Sequence, residues 1–216
     1  MNKKSRAGAD AADKKSRILS ATTRLLMSQG LQTFSFDAVA SEAGLSRQLV
    51  RYYYSSLDAL IVDLCDHLTM AYQGALIAGI MNLGQVERLG FFLDYFFGVS
   101  KDHPLPDNLK VYDAFLAYAV GSEPLKDRLC ETYKTLGQVV VHELAIAHPQ
   151  LDARACEELS FLFVSMMHAH WSFVATLGFS GKHNKIARNA FDRLIESYVS
   201  EGSGDTSKVR PWTRGD

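Results

Sequence analysis

Three residues, Gly44-Leu45-Ser46, constrain this chain more than any others. They stand between two short stretches of helical apolar spacing. Upstream, Ser35 is placed as an N-cap, and Phe36, Val39, Ala40 and Ala43 share one face. Downstream, Ser46 is the next N-cap and opens a helix over Arg47–Tyr53. Ala40 and Ala43 let two helices cross closely, and Gly44 supplies a turn residue that tolerates positive φ. Two short helices joined by a three-residue turn are the sequence form of a helix-turn-helix. An earlier helix over Lys14–Gln29 carries Ile18, Ala21, Leu25 and Leu26 on its stripe and stops at Gly30. It offers the surface on which Val39, Leu45 and Val50 can pack.

This packing leaves Arg47, Gln48, Arg51 and Tyr52 on the outer face of the third helix. Their chemistry suits a DNA groove. Arginine pairs bidentately with guanine O6 and N7, and glutamine with adenine N6 and N7. Tyrosine hydroxyls and the hydroxyls of Ser35 and Ser46 can hold phosphate oxygens, as can backbone N–H groups at the two helix starts. Charge supports this. Residues 1–60 hold nine Lys and Arg against five Asp and Glu, whereas the rest of the chain holds fourteen against nineteen. A basic front and an acidic body fit an anionic partner at one end, although the whole chain has a net charge of only −1.

Residues 14–64 resemble the DNA-binding domain of the TetR family of transcriptional repressors. The resemblance runs through Phe34-Ser35-Phe36-Asp37-Ala38-Val39-Ala40 and Glu42-Ala43-Gly44-Leu45-Ser46, and closes with Tyr53-Tyr54 and Leu60. It implies that Ser35 and Ser46 bind phosphate, that Arg47 and Gln48 read the groove, and that Tyr53 holds phosphate. Two positions depart from the family pattern. Arg51 stands where a tyrosine is usual, and Leu57 stands where a lysine opens the fourth helix and often contacts phosphate. The second half also resembles the choline-responsive BetI branch, through Phe115-Leu116-Ala117-Tyr118-Ala119 followed by Glu123-Pro124-Leu125.

The remaining chain reads as helical throughout. Apolar spacing predicts helices from Leu57 to about Gly79, from Gln85 to Ser100, from Asn108 to Gly121, from about Ser122 to His148, from Asp152 to Gly178, and from Asn184 to Val199. The expected class is all-α, about nine helices: a loose basic arm (1–13), a helix-turn-helix domain (14–56), a larger helical domain (57–199) and a disordered tail (200–216). From Leu159 to Phe179 there is no Asp, Glu, Lys or Arg. That run is long enough for a membrane span. Its two histidines, three serines and a threonine, with charges at both ends, favour a helix buried by its own subunit and a second one instead.

The family resemblance implies that this larger domain binds a small-molecule effector and dimerises through its last two helices. Aromatic density marks the candidate pocket: Tyr95, Tyr112, Phe115 and Tyr118, with His142, His168 and Trp171 as polar or amphipathic additions. No cofactor or metal is called for. His168 and His170 are two apart, so on a helix they diverge. Cys65, Cys130 and Cys156 are odd in number, widely spaced and without ligand partners, which suits reduced thiols in the cytoplasm. The N-terminus has no apolar secretory stretch. The expected function is a regulator released from a palindromic operator by its effector. The rivals are an activator of the same fold, a small helical enzyme, and a protein-binding adaptor. No glycine-rich phosphate loop, nucleophile elbow or HExxH supports the enzyme.

Overall fold

The computed structural model describes residues 3–81, 83–203 and 210–214. The described residues hold nine α-helices and no strand: α1 (Lys3–Gln29), α2 (Phe36–Ala43), α3 (Arg47–Tyr53), α4 (Leu57–Ile80), α5 (Glu87–Phe96), α6 (Lys110–Ala119), α7 (Glu123–Ala147), α8 (Ala153–Trp171) and α9 (Asn184–Glu201). They form two compact units. The first takes Met1–Ala71 with Asn108–Leu129, and the second takes Tyr72–Asp107 with Cys130–Asp216. Of the three boundaries between them, two fall inside helices, in α4 and in α7, and the third falls in the loop before α6.

In the first unit, Ile18, Ala21, Leu25 and Leu26 are buried on α1, as their spacing predicts. The Thr22 hydroxyl donates to the Ile18 carbonyl, so this buried polar group is satisfied within its own helix. Gly30, at φ 63°, closes α1 by donating its N–H to the Leu26 carbonyl. The helix starts at Lys3 rather than Lys14, so the segment expected as a loose arm is helical. Apolar spacing could not show this, because residues 10–13 bury no stripe. Good helix formers such as Ala11 and Ala12, and the Lys14–Asp10 ion pair one turn apart at 2.5 Å, act locally instead.

Helix α6 packs against α1, and the Tyr118 ring meets Phe34 edge-on at 6.2 Å. The base of α4 is fastened by polar ties at its edges. Asp58 accepts from the Ser122 hydroxyl, and Asp66 pairs with Arg128. Between these ties Leu60, Ile61 and Leu64 are fully buried.

The second unit is built on rings. Phe97, Phe163 and Phe191 are fully buried, and each lies within 6.1 Å of the other two. The Trp171 indole donates to the Phe96 carbonyl at 2.7 Å and stacks on the Phe96 ring. Helix α5 ends at Phe96, four residues before the predicted stop. Gly98, at φ 66°, donates to the Tyr95 carbonyl and Val99 donates to Asp94, which is a Schellman closure. The charge-free run is also interrupted. Asp152 caps α8 through the Ala155 N–H, but the α-helix stops at Trp171 and continues as one π-helical turn, Ser172–Thr176.

The tail differs from expectation too. Helix α9 runs to Glu201, and within 210–214 the Trp212 side chain is seated against the helices. The Trp212 indole donates to the Ser160 hydroxyl at 2.9 Å and meets Phe161 edge-on. It fills the notch at Gly137, where a Cβ would come within 2.1 Å of the ring. One large apolar side chain in a polar tail is enough to anchor it. The rest of the predicted disordered stretch, 204–209 and 215–216, lies outside the described residues.

Candidate nucleic-acid interface

The helix-turn-helix is assembled from caps and a buried seam. Ser35 sits in extended backbone before α2, and its Oγ accepts from the Ala38 N–H at 3.2 Å. Ser46 does the same for α3, accepting from Leu49 at 3.1 Å. Each hydroxyl still has its own O–H to donate, so a capping serine can also hold a phosphate oxygen. Gly44 adopts φ 63°, the left-handed value its position in the turn predicted. Val39, Ala40, Ala43 and Val50 are buried in the seam with Ile18, and Leu45 is half-buried beneath the turn.

Two arginines of α1 brace this turn from outside. Arg17 donates to the carbonyls of Ala43 and Gly44, at 2.9 and 3.5 Å, which satisfies acceptors at the C-terminus of α2. Arg24 pairs with Glu42 at 2.6 Å. The helical spacing of α1 leaves both arginines off its apolar stripe and gives them no partner. Such contacts depend on which helix crosses over which, and local spacing carries no sign of that.

The candidate contact residues divide sharply from the seam. Arg47, Gln48, Arg51 and Tyr52 are all exposed on α3, with Tyr52 at 82% exposure, while Val50 among them is fully buried. Tyr53 is half-buried, and the Tyr52 ring meets it edge-on at 5.4 Å. The next tyrosine plays another part. Tyr54 is buried, and its hydroxyl donates to Asp63, which also pairs with Lys15 at 3.1 Å. Burial, reinforced by that carboxylate, pushes the Tyr54 phenol far above its ordinary value. Leu57 opens α4 half-buried, just after Ser56 caps the helix through the Ala59 N–H.

Two contacts on this surface were not foreseen. The Arg47 guanidinium lies 3.2 Å from the Asp37 carboxylate, and the Arg51 guanidinium lies over the Phe36 ring at 5.5 Å from its centroid. In the sequence Phe36 belongs to an apolar face, and Asp37 stands only within the segment that carries the family resemblance.

The candidate effector residues fall into two groups. Tyr112, Phe115 and Tyr118 belong to the first unit. Tyr112 and Phe115 are buried ring neighbours at 5.6 Å, and burial with the nearby Asp58 raises the Tyr118 phenol. Tyr95, His142, His168 and Trp171 belong to the second unit. There Tyr95 and Trp171 are both buried ring neighbours of Tyr72, at 6.3 and 5.8 Å. Burial pushes the Tyr95 phenol up to about 12, and its hydroxyl has no hydrogen-bond partner among the described residues. His168 Nδ1 is 2.9 Å from the Tyr133 hydroxyl, whereas His170 Nε2 is 2.9 Å from Asn184, so the two histidines diverge as expected. His142 is exposed on α7, beside the buried Glu143 whose carboxyl is raised by burial against the opposing pull of His142 and Arg88.

Residues 18–64 match the family model described as bacterial regulatory proteins of the TetR family. Over these residues the chain is similar to the DNA-binding domain of TetR-family regulators. The matched residues span the C-terminal part of α1, all of α2 and α3, and the start of α4, and they contain the surface just described. The fold beyond them is that of solved regulators. A TetR transcription regulator from Haloarcula marismortui superposes with a TM-score of 0.72 at 19% identity, covering 86% of this chain and 98% of that one. A transcriptional regulator from Pseudomonas aeruginosa gives 0.71 at 21% identity, covering 89% and 95%. A regulator from Saccharomonospora viridis, solved in complex with choline, gives 0.71 at 17% identity, covering 86% and 96%. No curated protein matches the chain by sequence. Among the described residues no helix is long and apolar enough to cross a membrane.

Proposed function

We propose that the protein is a homodimeric repressor, working in the cytoplasm by binding rather than turnover, and released from a palindromic operator by a small organic effector. The observation that carries this reading is the contrast within α3. A seven-residue helix presents Arg47, Gln48, Arg51 and Tyr52 outward, flanked by the Ser35, Ser46 and Tyr53 phosphate-binding candidates. Four side chains address only a few base pairs, so a specific site calls for a second copy of α3 one helical turn away. The last two helices and the turn between them offer a surface for that copy. Phe161, Phe173, Leu177 and Ile186 are all more than 40% exposed there.

The effector site is proposed within the second unit, around Tyr95, His168 and Trp171, with His142 as a further candidate there. Buried rings with few polar tips are what small-molecule sites use, and the Tyr95 hydroxyl is such a tip. The neighbour solved with choline makes a quaternary ammonium a sensible first probe, since rings attract such cations through their faces. Release requires the effector to bind more tightly to the conformation that does not fit DNA. Helix α4 contributes residues to both compact units and is the continuous element through which that preference would act.

The test is the mass of the complex formed on the DNA upstream of the protein's own gene, before and after titration with choline and other small organic cations. Two or more subunits per site, released by an effector that leaves the fold intact, supports the reading. One subunit per site would sink the dimer, and effectors that tighten rather than release the complex would sink the repressor.

A further inference from the structure

We propose that Phe36 and Asp37, at the start of α2, set the sequence specificity of α3 by holding Arg51 and Arg47 in fixed poses toward base edges. This rests on the DNA-reading function of α3 and adds to it two positioning residues that need not touch a base themselves.

The Asp37–Arg47 pair makes little sense as a stabilising device. Its side chains are 66% and 55% exposed, and exposed pairs contribute little to folding. An acid on a DNA-facing surface also opposes binding, because it repels every phosphate backbone whatever the sequence. Its benefit must therefore be selective. Arginine has five N–H donors in a rigid fork, so a carboxylate can hold one edge of the guanidinium and leave the other free for guanine O6 and N7. Excluding water from the groove strengthens that hold.

Phe36 does the same for Arg51 by a different contact. The centre of the guanidinium lies over the ring, 5.5 Å from its centroid, and a cation held over a ring face spends none of its N–H donors on a carboxylate. Phe36 is itself half-buried and belongs to the helix that packs on α1, so its position is set by the seam. Long arginine side chains lose much rotamer freedom on binding. A guanidinium already held over a ring has lost part of it beforehand.

Both arginines lie on one face of α3, one turn apart. That separation is about 6 Å along the helix axis, against about 3.4 Å per base step. Two guanidiniums held at this spacing address base pairs about two steps apart rather than neighbours. The expected half-site therefore carries two guanines separated by roughly one intervening pair.

The experiment selects duplexes from a randomised library with the full-length protein. Affinities are then measured on the enriched duplex and on its single-base variants. The proteins compared are wild type, Asp37→Ala, Asp37→Glu, Phe36→Leu and Phe36→Tyr, with thermal melting recorded for each. Asp37→Ala should lower discrimination at one guanine by at least about fivefold, and Phe36→Leu at the other, within the range one arginine–guanine pair commands. Asp37→Glu and Phe36→Tyr should restore it. Two results would overturn the proposal alone: unchanged discrimination in both variants, or loss by one common factor on every duplex, which would mark a backbone or folding effect. Failure of the wild-type protein to enrich any sequence would overturn the DNA-reading function together with it.

Discussion

On α3, the residues that pack and the residues proposed to meet DNA are different ones. Val50 is fully buried, and two positions along Tyr52 is 82% exposed. In the second unit the same residues are candidates for both tasks. Tyr95 and Trp171 are candidate effector contacts, yet they are 1% and 4% exposed and belong to the aromatic core. A surface site can therefore be emptied of function while its fold survives. A site made of core residues cannot, because each substitution there changes stability and recognition together.

The sharpest way to break this contrast is Trp171→Ala. It removes the stack on Tyr72 and Phe96 and the bond to the Phe96 carbonyl. The expected cost is about 3–5 kcal/mol in urea unfolding. A loss below about 1 kcal/mol would show that the ring is not core and would undo the contrast.

The next effect concerns the buried side of the first unit. Burial pushes the Cys65 thiol from 9.0 up to about 11. The unfolded thiol ionises above pH 9 while the folded one keeps its proton, so the folded state binds more protons in that window. Stability from this group is present below pH 9 and is lost as pH rises toward 11, by about 2–3 kcal/mol. Cys65→Ala should flatten that part of the pH–stability curve. An unchanged slope would mean that the thiol is not shielded.

Gly44→Ala tests the turn alone. A Cβ there has room, since its nearest neighbour is the Arg17 Nη2 at 3.6 Å, so only the backbone is strained. At φ 63° the expected loss is about 1–2 kcal/mol. The smallest effect is expected for Leu57→Lys, which places a cation at the start of α4. It should raise DNA affinity a fewfold and steepen the salt dependence by about one charge, with melting unchanged. No change in salt slope would put Leu57 away from the backbone.

The difference between surface and core also explains what could be seen in the sequence. The bounds of α3, both serine caps and the positive φ of Gly44 follow from local spacing, because each depends on residues within a turn or two. The outward set on α3 follows from the same periodicity. Other features depend on contacts distant in sequence. The docking of α6 on α1, the bracing of Gly44 by Arg17, and the seat of Trp212 at Gly137 and Ser160 join residues with no shared period. The Phe36–Arg51 and Asp37–Arg47 contacts are closer in sequence but cross the turn, so they depend on the angle between α2 and α3. The break of α8 at Trp171 was hidden for another reason. From Leu159 to Leu177 there is no charge, glycine or proline to act as punctuation, although the helix passes into a π-helical turn there.

The most direct test of the central claim is fluorescence anisotropy on the upstream intergenic duplex, titrated across salt and against scrambled competitor, for wild type and Arg47→Ala/Arg51→Ala. The expected result is tight, competitor-resistant binding by the wild type. The double variant should melt normally yet bind about a hundredfold or more weakly, near the summed worth of two bidentate pairs. A double variant that binds and discriminates like the wild type would contradict the assignment of the α3 face to DNA.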